Sequence, residues 1–306
     1  MKPENTVPAI SKTQAWILAS RPKTLPAAAS PVLIACAVAF VEHKFEPLAA
    51  LAALLGALLL QIGANIANDV FDFQLGTDNQ HRLGPLRMTQ AGYLTPTEMK
   101  TGMVVVFILA AMCGVYMALV SGWWIIIIGA LAILAAVAYT GGPFPYGYKG
   151  LGELFVFIFF GFAAVCGTYY AQAKSVSLLA ILSSVPVGLL IVCILVVNNL
   201  RDLNGDKSSG KRTLAVRFGA TWAKQEFIAL LALAYLFVFL ITFVHLGTVW
   251  ILLCWLSLPL ALQLVKSVLN EQGKALNLTL AGVGKLTLIF SILYSIGLII
   301  SRYFPI

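Results

Sequence analysis

Charged residues are scarce in this sequence. Asp, Glu, Lys and Arg make up 10% of its 306 residues, whereas hydrophobic residues make up 60%. An ordinary globular protein carries roughly 25% charged residues. Such a deficit argues against a water-soluble domain and is typical of a membrane protein that crosses the bilayer several times.

Residues that build disulfides and zinc sites are also few. The five cysteines lie far apart inside apolar stretches, so we expect them to pack as small apolar side chains. The three histidines are scattered and form no ligand pair, so neither a disulfide framework nor a zinc site is predicted. The N-terminal stretch MKPENTVPAISKTQAW lacks the apolar core and cleavage site of a removed signal peptide.

Long apolar runs, in contrast, fill most of the chain. A helix needs roughly 20 residues to cross the hydrocarbon core, and no alternation typical of a β-barrel is visible. Nine runs approach this length, at about residues 25–41, 48–68, 102–121, 123–140, 152–172, 177–199, 225–245, 248–268 and 284–301. We therefore predict one all-α domain over residues 1–306. It would be a bundle of nine transmembrane helices, preceded by a flexible cytoplasmic segment at residues 1–15.

The basic residues predict how this bundle is oriented. Nine spans place the two termini on opposite sides of the membrane. All Lys and Arg except Lys44, Lys174 and Arg302 fall on the side of the N-terminus. By the positive-inside rule this side is cytoplasmic, so the C-terminus is expected outside. Orientation and anionic headgroups explain the net charge of +8, and we expect no nucleic-acid partner.

The aspartates are concentrated at the ends of two apolar runs. Every Asp lies either in NDVFDFQLGTD, from residue 68, or in NNLRDLNGD, from residue 198. Both motifs follow even-numbered spans, so they face the same side of the membrane. If the run ends are helical, spacings of three and four place side chains on one face. These faces hold Asn68 and Asp72 in the first motif, and Asn198, Asp202 and Asp206 in the second.

Clustered carboxylates near lipid need a compensating cation, because they repel one another and lose hydration. Asp and Asn oxygens suit Mg²⁺, which binds through one or two carboxylates together with phosphate oxygens. We interpret the two motifs as holding two Mg²⁺ ions with a diphosphate between them. The alternative for either motif alone is a set of helix-capping and loop carboxylates at the membrane surface.

Basic residues accompany both motifs and could bind the diphosphate. Arg offers phosphate a planar fork and Lys a compact charge. The candidates are Arg82, Arg87, Lys149, Lys211 and Arg212. Each could instead serve only to orient the protein. Lys149 is the only base in YTGGPFPYGYKGLGE, a loop whose aromatic rings could stabilise a carbocation or simply belong to the membrane-interface belt.

These motifs resemble those of the UbiA superfamily of intramembrane aromatic prenyltransferases. NDVFD is similar to its first acidic motif, NNLRDLNGD to its second, and YTGGPFPYGYKGLGE to the Tyr and Lys loop between them. RPKTLPAAASPVL, LGPLRMTQAG and NNLRDLNGDKSSGKRTLAVRFG most resemble the branch that acts on 1,4-dihydroxy-2-naphthoate. The likeness runs from about residue 15 to the end of the chain.

The resemblance implies nine helices around a central cavity that opens to the cytoplasm of a bacterium. The expected activity is transfer of a polyprenyl group from its diphosphate to 1,4-dihydroxy-2-naphthoate, with loss of CO₂, giving demethylmenaquinol. Implied metal ligands are Asn68, Asp69, Asp72, Asn198, Asp202 and Asp206. Implied catalytic residues are Asp72, Asp202, Lys149 and Tyr139, and candidates for the acceptor carboxylate are Arg21 and Lys23.

The sequence departs from the superfamily motif at one position, and two alternative functions stay open. Many superfamily members carry a further Asp four residues after the one matching Asp72, where this chain has Gly76 and then Asp78. The role of Asp78 as a ligand therefore stays open. The acceptor could instead be 4-hydroxybenzoate, homogentisate or a tetrapyrrole. A secondary transporter would also carry intramembrane acids, but near mid-membrane on broken helices. No protein partner is predicted.

Overall fold

The computed structural model describes residues 10–76, 83–244 and 249–304, and these ranges contain helices and no β-strand. Its α-helices are α1 (Lys12–Ser20), α2 (Leu25–Val41), α3 (Pro47–Gln74), α4 (Pro96–Ser121), α5 (Trp124–Ala138), α6 (Gly152–Val156), α7 (Ala164–Ala173), α8 (Leu178–Ser208), α9 (Leu214–Phe218), α10 (Ala220–Val244), α11 (Leu258–Asn270) and α12 (Leu276–Tyr303). A π-helical segment, Phe157–Ala163, joins α6 to α7. Segments of 3₁₀ helix are Pro22–Thr24, Tyr146–Lys149, Val249–Ser257 and Gly273–Ala275.

Eight helical stretches in the described ranges are long and apolar enough to cross a membrane, judged by length and composition. The fourth predicted run forms the shorter helix α5, of 15 residues. Each of the nine runs therefore corresponds to a helical segment. The all-α fold and the multispanning bundle predicted from composition are confirmed.

Helical structure extends beyond the predicted apolar runs in several places. The helices α3 and α8 continue to Gln74 and Ser208, so most of both acidic motifs is helical. At the other end of the chain, Ser11 caps α1 by accepting from the Gln14 amide at 3.2 Å. Residues 12–15, expected to be flexible, thus begin a helix, and residues 1–9 lie outside the described ranges.

Two buried clusters hold the bundle together. The larger lies mainly between α2, α8, α10 and α12 and includes Val38, Val187 and Phe290. In the smaller cluster, α1 and the segment before α4 pack against the second half of α3 around Met88 and Met99. Because lipid is as apolar as these side chains, close packing rather than water exclusion stabilises contacts between membrane helices.

The π-helical segment crosses α8 at a point of close backbone approach. A Cβ on Gly188 would lie 3.0 Å from the Cα of Gly161, and one on Gly161 would lie 3.1 Å from the Ser184 carbonyl oxygen. Glycine at both positions lets the two backbones meet. The same segment contributes Phe159 and Phe160 to the wall of an internal cavity.

Candidate active site

A cavity of about 700 Å³ lies inside the bundle, and α2, α3, α5 and α8 contribute much of its wall. The end of the bundle at which α3 and α8 finish is named here the acidic end. Nine of the residues singled out in the sequence line the cavity: Arg21, Asn68, Asp72, Arg87, Tyr139, Asn198, Asp202, Asp206 and Lys211. Earlier along α3 the wall becomes apolar, at Leu60 and Ala57. A cavity of this kind suits a ligand with a charged head and an apolar tail.

Asp72, near the end of α3, is buried, and among the described residues it contacts Arg87, Tyr148 and Lys211. Its Oδ2 accepts from Arg87 Nη2 at 2.5 Å. Its Oδ1 accepts from the Tyr148 hydroxyl and lies 3.5 Å from Lys211 Nζ. With its side chain 4% exposed, this carboxylate depends on such partners to remain charged.

Lys211 connects the two acidic motifs. Its Nζ lies 3.5 Å from Asp72 Oδ1 and 3.8 Å from Asp206 Oδ1. It also lies over the Tyr148 ring, 4.4 Å from the centroid. One ammonium group therefore contacts carboxylates at the ends of both α3 and α8, so the two motifs border the same space.

Asp202 is held by the residue that precedes it. Arg201, which is 3% exposed, donates from Nε to Asp202 Oδ1 at 2.8 Å and also from Nη2 to Oδ2. The same guanidinium donates to Asn198 Oδ1 at 2.7 Å and to Asn277 Oδ1 at 2.9 Å. Asn277 in turn donates to the Leu83 carbonyl at 2.8 Å. This network fixes the second motif against α12.

The loop after α5 completes the polar wall. The Thr140 hydroxyl donates to Asn68 Oδ1 at 3.0 Å. The neighbouring Tyr139 also lines the cavity. A Cβ on Gly147 would lie 2.7 Å from the Tyr139 carbonyl oxygen, which explains why glycine is needed where the loop folds back.

Asp69, a predicted metal ligand, lies away from the cavity. It is buried but is not part of the cavity wall. Its two oxygens accept backbone amides, from Met88 at 2.9 Å and from Thr89 at 3.3 Å. Asp69 therefore anchors the loop that carries Arg87, and it supports the site without lining the cavity.

Three predicted bases also lie outside the cavity wall. Lys23, Lys149 and Arg212 are exposed. Lys149 Nζ instead lies over the Phe144 ring, 3.6 Å from its centroid, and the Arg212 amide donates to the Tyr148 carbonyl at 2.7 Å. This placement does not bring them into the cavity wall, so their contacts with substrate stay predictions. Asp78 and Arg82 fall outside the described residues.

Tyr148, Arg201 and a polar network deeper in the wall were not predicted from the sequence. In that network Thr24 Oγ1 accepts from Gln61 Nε2 at 3.2 Å and from Asn65 Nδ2 at 2.9 Å. Spacing could have revealed these amides, because Gln61 and Asn65 continue the face of α3 that bears Asn68 and Asp72. Likewise, Arg201 is the only base inside an acidic motif.

The polar side chains of the cavity fit Mg²⁺ bound together with a diphosphate. Within the part of the chain that the structure describes, no group of three or more His, Cys, Asp or Glu is close enough to hold a metal. The wall does offer carboxylate and amide oxygens, on Asn68, Asp72, Asn198, Asp202 and Asp206. Mg²⁺ commonly uses one or two carboxylates and completes its shell with phosphate oxygens and water.

The fold and this site define an integral membrane protein whose helices enclose a cavity with a charged mouth and an apolar interior. The chain belongs to the UbiA prenyltransferase family, whose model matches residues 28–277. This confirms the family predicted from the motifs.

Individual relatives agree with this assignment. The chain is 37% identical to the 1,4-dihydroxy-2-naphthoate octaprenyltransferase of Escherichia coli, over 96% of this chain and 98% of that protein. It is 40% identical to the Mycobacterium tuberculosis protein of the same name, over 84% and 87%. The fold is similar to that of a UbiA homolog from Archaeoglobus fulgidus solved with GPP and Mg²⁺. That likeness has a TM-score of 0.63 at 12% identity and covers 93% of this chain and 99% of the other.

Proposed function

We propose that this protein transfers the polyprenyl group of a polyprenyl diphosphate to 1,4-dihydroxy-2-naphthoate. The products are demethylmenaquinol, diphosphate and CO₂, and the reaction belongs to quinone synthesis. The observation that carries the proposal is the position of Lys211, which reaches Asp72 of the first acidic motif and Asp206 of the second. A diphosphate bound beside Lys211 would be within reach of both motifs.

Arg87 and Lys211 would bind the diphosphate, because both are cations in the cavity wall. Mg²⁺, when bound, supplies positive charge that stabilises the leaving diphosphate. The residues that would hold one or two such ions are Asn68, Asp72, Asn198, Asp202 and Asp206. The Archaeoglobus fulgidus homolog, which has the same fold and was solved with GPP and Mg²⁺, supports Mg²⁺ as the cofactor.

The reaction requires an allylic cation that is protected from water. When the C–O bond breaks, its electron pair leaves with the diphosphate and the prenyl C1 becomes cationic. Tyr139 and Tyr148 place π-electron density in the wall, and Leu60 and Phe159 make the inner wall apolar. An apolar wall excludes the water that would otherwise convert the cation to an alcohol.

The acceptor ring then supplies the electrons for the new bond. The ring carbon that bears the carboxylate attacks prenyl C1, and departure of CO₂ returns an electron pair to the ring, restoring aromaticity. This substitution needs neither a covalent enzyme nucleophile nor net loss of a proton. Arg21, which lines the cavity beside Thr24, would bind the acceptor carboxylate. The names of the Escherichia coli and Mycobacterium tuberculosis relatives favour the naphthoate acceptor.

The proposed location is a bacterial cytoplasmic membrane, with the acidic end, and with it the N-terminus, facing the cytoplasm. The concentration of Lys and Arg on that side supports this orientation. A transporter would be expected to carry its acids near mid-membrane on broken helices. Asp72 and Asp202 instead lie near the ends of the continuous helices α3 and α8, which favours phosphate chemistry.

A competition between acceptors tests the proposed function. Purified protein in lipid vesicles would receive geranylgeranyl diphosphate, Mg²⁺ and equal amounts of 1,4-dihydroxy-2-naphthoate and 4-hydroxybenzoate. We expect mass spectrometry to detect the decarboxylated prenyl naphthalenediol, and none when EDTA replaces Mg²⁺. Prenylation of 4-hydroxybenzoate alone, or of neither acceptor, would contradict the proposal.

A further inference from the structure

The buried carboxyl group of Glu153 has no part in the reaction described above. Glu153 is the second residue of α6, is 8% exposed and is not part of the cavity wall. Its Oε1 accepts a hydrogen bond from Asn199 Nδ2, on α8, at 2.8 Å. A buried carboxyl group is costly unless its oxygens are hydrogen-bonded, so Glu153 and Asn199 constrain each other.

The first turn of α6 brings Glu153 close to α8. A Cβ on Gly152, the preceding residue, would lie 3.1 Å from Leu195 Cδ2 and 3.6 Å from the Tyr139 hydroxyl oxygen. A larger side chain at position 152 would therefore push α6 away from α8 and from Tyr139. Glycine here lets the carboxyl group of Glu153 lie beside Asn199, outside the cavity wall.

The Asn199 amide is bound at one end and available at the other. Because a carboxylate accepts hydrogen bonds, Asn199 presents its NH₂ group to Glu153. Within the described ranges, Asn199 Oδ1 accepts no hydrogen bond, whereas Asn198 Oδ1 accepts one from Arg201. Asn199 lines the cavity. The amide is planar, so the contact that fixes Nδ2 against Glu153 also fixes the direction of Oδ1.

The position of Asn199 along α8 indicates which part of the substrates it would meet. Asp202 lies three residues towards the acidic end and Leu195 four residues towards the apolar interior, and both also line the cavity. At the usual helical rise, Asn199 is about 4.5 Å further from the acidic end than Asp202. A bound diphosphate offers only acceptor oxygens, and a prenyl chain has no polar group. The hydroxyl groups of the aromatic acceptor can donate to Asn199 Oδ1.

We propose that Asn199 Oδ1 accepts a hydrogen bond from a ring hydroxyl of the aromatic acceptor, and that Glu153 is the positioning residue that holds the Asn199 amide for this contact. This inference rests on the proposed function and adds the contact that selects a hydroxyl-bearing ring. The hydroxyl concerned is on the carbon next to the one that attacks prenyl C1. Its oxygen donates electron density to the ring during the attack, so its O–H group becomes a stronger donor in the transition state. The proton stays on the hydroxyl oxygen throughout.

Steady-state kinetics test the roles of both residues. Glu153→Leu removes the oxygen that holds Asn199, whereas Glu153→Gln keeps an oxygen that can accept from Asn199 Nδ2. We expect kcat/KM for 1,4-dihydroxy-2-naphthoate to fall about tenfold or more in Glu153→Leu and Asn199→Ala, and to stay close to the wild-type value in Glu153→Gln. The KM for geranylgeranyl diphosphate and the Mg²⁺ concentration for half-maximal turnover should stay near wild type in all three variants.

A carboxylate elsewhere in the chain provides the matched control. Glu271 accepts from Thr279 Oγ1 at 2.5 Å and is not part of the cavity wall. Glu271→Leu should therefore leave kcat/KM for the acceptor at the wild-type value. A wild-type kcat/KM in Glu153→Leu would overturn the inference. A raised Mg²⁺ requirement in Asn199→Ala would also overturn it, since Asn199 would then act as a metal ligand.

A binding measurement separates this inference from the proposed function. 1-Hydroxy-2-naphthoate and 2-naphthoate, which differ only in the hydroxyl, would be titrated by calorimetry against wild type, Glu153→Leu and Asn199→Ala. We expect wild type to prefer the hydroxyl compound about tenfold, and both variants to lose this preference. Equal affinities in wild type would overturn the inference even if the variants failed to fold. A preference that depends on Asn199, in a protein that prenylates no acceptor, would refute the proposed function and leave the contact supported.

Discussion

Among single residues, Asp72 is tightly held, because its buried carboxylate contacts Arg87, Tyr148 and Lys211. The cost of burying a carboxylate explains this arrangement, since each partner offsets part of the lost hydration. A diphosphate that replaced some of these contacts would bring its own negative charge to Arg87 and Lys211. Arg87 and Lys211 would then pair with Asp72 before the diphosphate binds and with the diphosphate afterwards.

The neighbouring Asp69 provides a direct contrast. Both of its oxygens accept backbone amides of the Arg87 loop, so Asp69→Asn should loosen this loop. We expect a loss of about 1–3 kcal/mol in stability, the range for an unmatched buried polar group. The Mg²⁺ concentration that gives half-maximal turnover should remain within about twofold of wild type. A large rise in that concentration, at unchanged thermal stability, would show that Asp69 is a metal ligand after all.

Arg201 acts through other side chains, since it orients Asn198 and Asp202 and is not in the cavity wall. Arg201→Lys keeps the charge but removes the planar guanidinium group that contacts both Asn198 and Asp202. We expect turnover at limiting Mg²⁺ to fall about 10–100-fold, as for other supports of metal ligands, with partial recovery at high Mg²⁺. The matched change Arg302→Lys, which removes a guanidinium contact with the Phe40 carbonyl at the other end of the bundle, should leave the Mg²⁺ dependence as in wild type. An equal loss at all Mg²⁺ concentrations would point to a purely structural role for Arg201.

Residue spacing explains which side chains could be predicted. Asn68 and Asp72 are four apart and share a face of α3, as do Asn198 and Asp202 on α8, so helical periodicity placed them correctly. Asp69 is one residue from Asn68 and projects about 100° away around the helix. Lys149 and Arg212 lie in loops, where periodicity gives no direction and only the folded backbone decides.

At the scale of elements, the crossing of the π-helical segment with α8 positions one side of the cavity. Gly188→Ala would place a methyl group 3.0 Å from the Gly161 Cα and from the Phe157 ring. Because backbone cannot yield easily, we expect a loss of about 1–3 kcal/mol of stability. Gly114→Ala, where no atom lies within 4 Å, is the matched control and should be neutral or stabilising. Equal melting temperatures for Gly188→Ala and wild type, measured in the same detergent, would show that the crossing relaxes.

The lengths of α3 and α8 were only partly predictable. Apolar runs identified where these helices lie in the membrane, but α8 extends to Ser208, well beyond its run. The stacked Asn and Asp residues were the evidence that the helix continues. Neither the π-helical segment nor the 3₁₀ segment Val249–Ser257 has a comparable pattern, since both depend on how neighbouring helices pack.

At the scale of the whole molecule, the uneven distribution of charge predicts the direction of insertion. In the loop assignment made from the sequence, all Lys and Arg except Lys44, Lys174 and Arg302 fall on the side of the acidic end. Alkaline phosphatase fused to the C-terminus should therefore be active, because it needs the oxidising compartment outside the cytoplasm. The same enzyme fused to the C-terminus of a protein truncated after α8 should be inactive. The reverse pattern would place the acidic end outside.

The central claim is that both acidic motifs act on a single diphosphate with Mg²⁺. Its most direct test measures binding of a non-hydrolysable prenyl thiodiphosphate by calorimetry, with and without Mg²⁺, for wild type, Asp72→Asn and Asp202→Asn. We expect Mg²⁺-dependent binding in wild type and its loss in each single variant, with melting temperatures showing that both still fold. Mg²⁺-dependent binding of wild-type strength in either variant would contradict it.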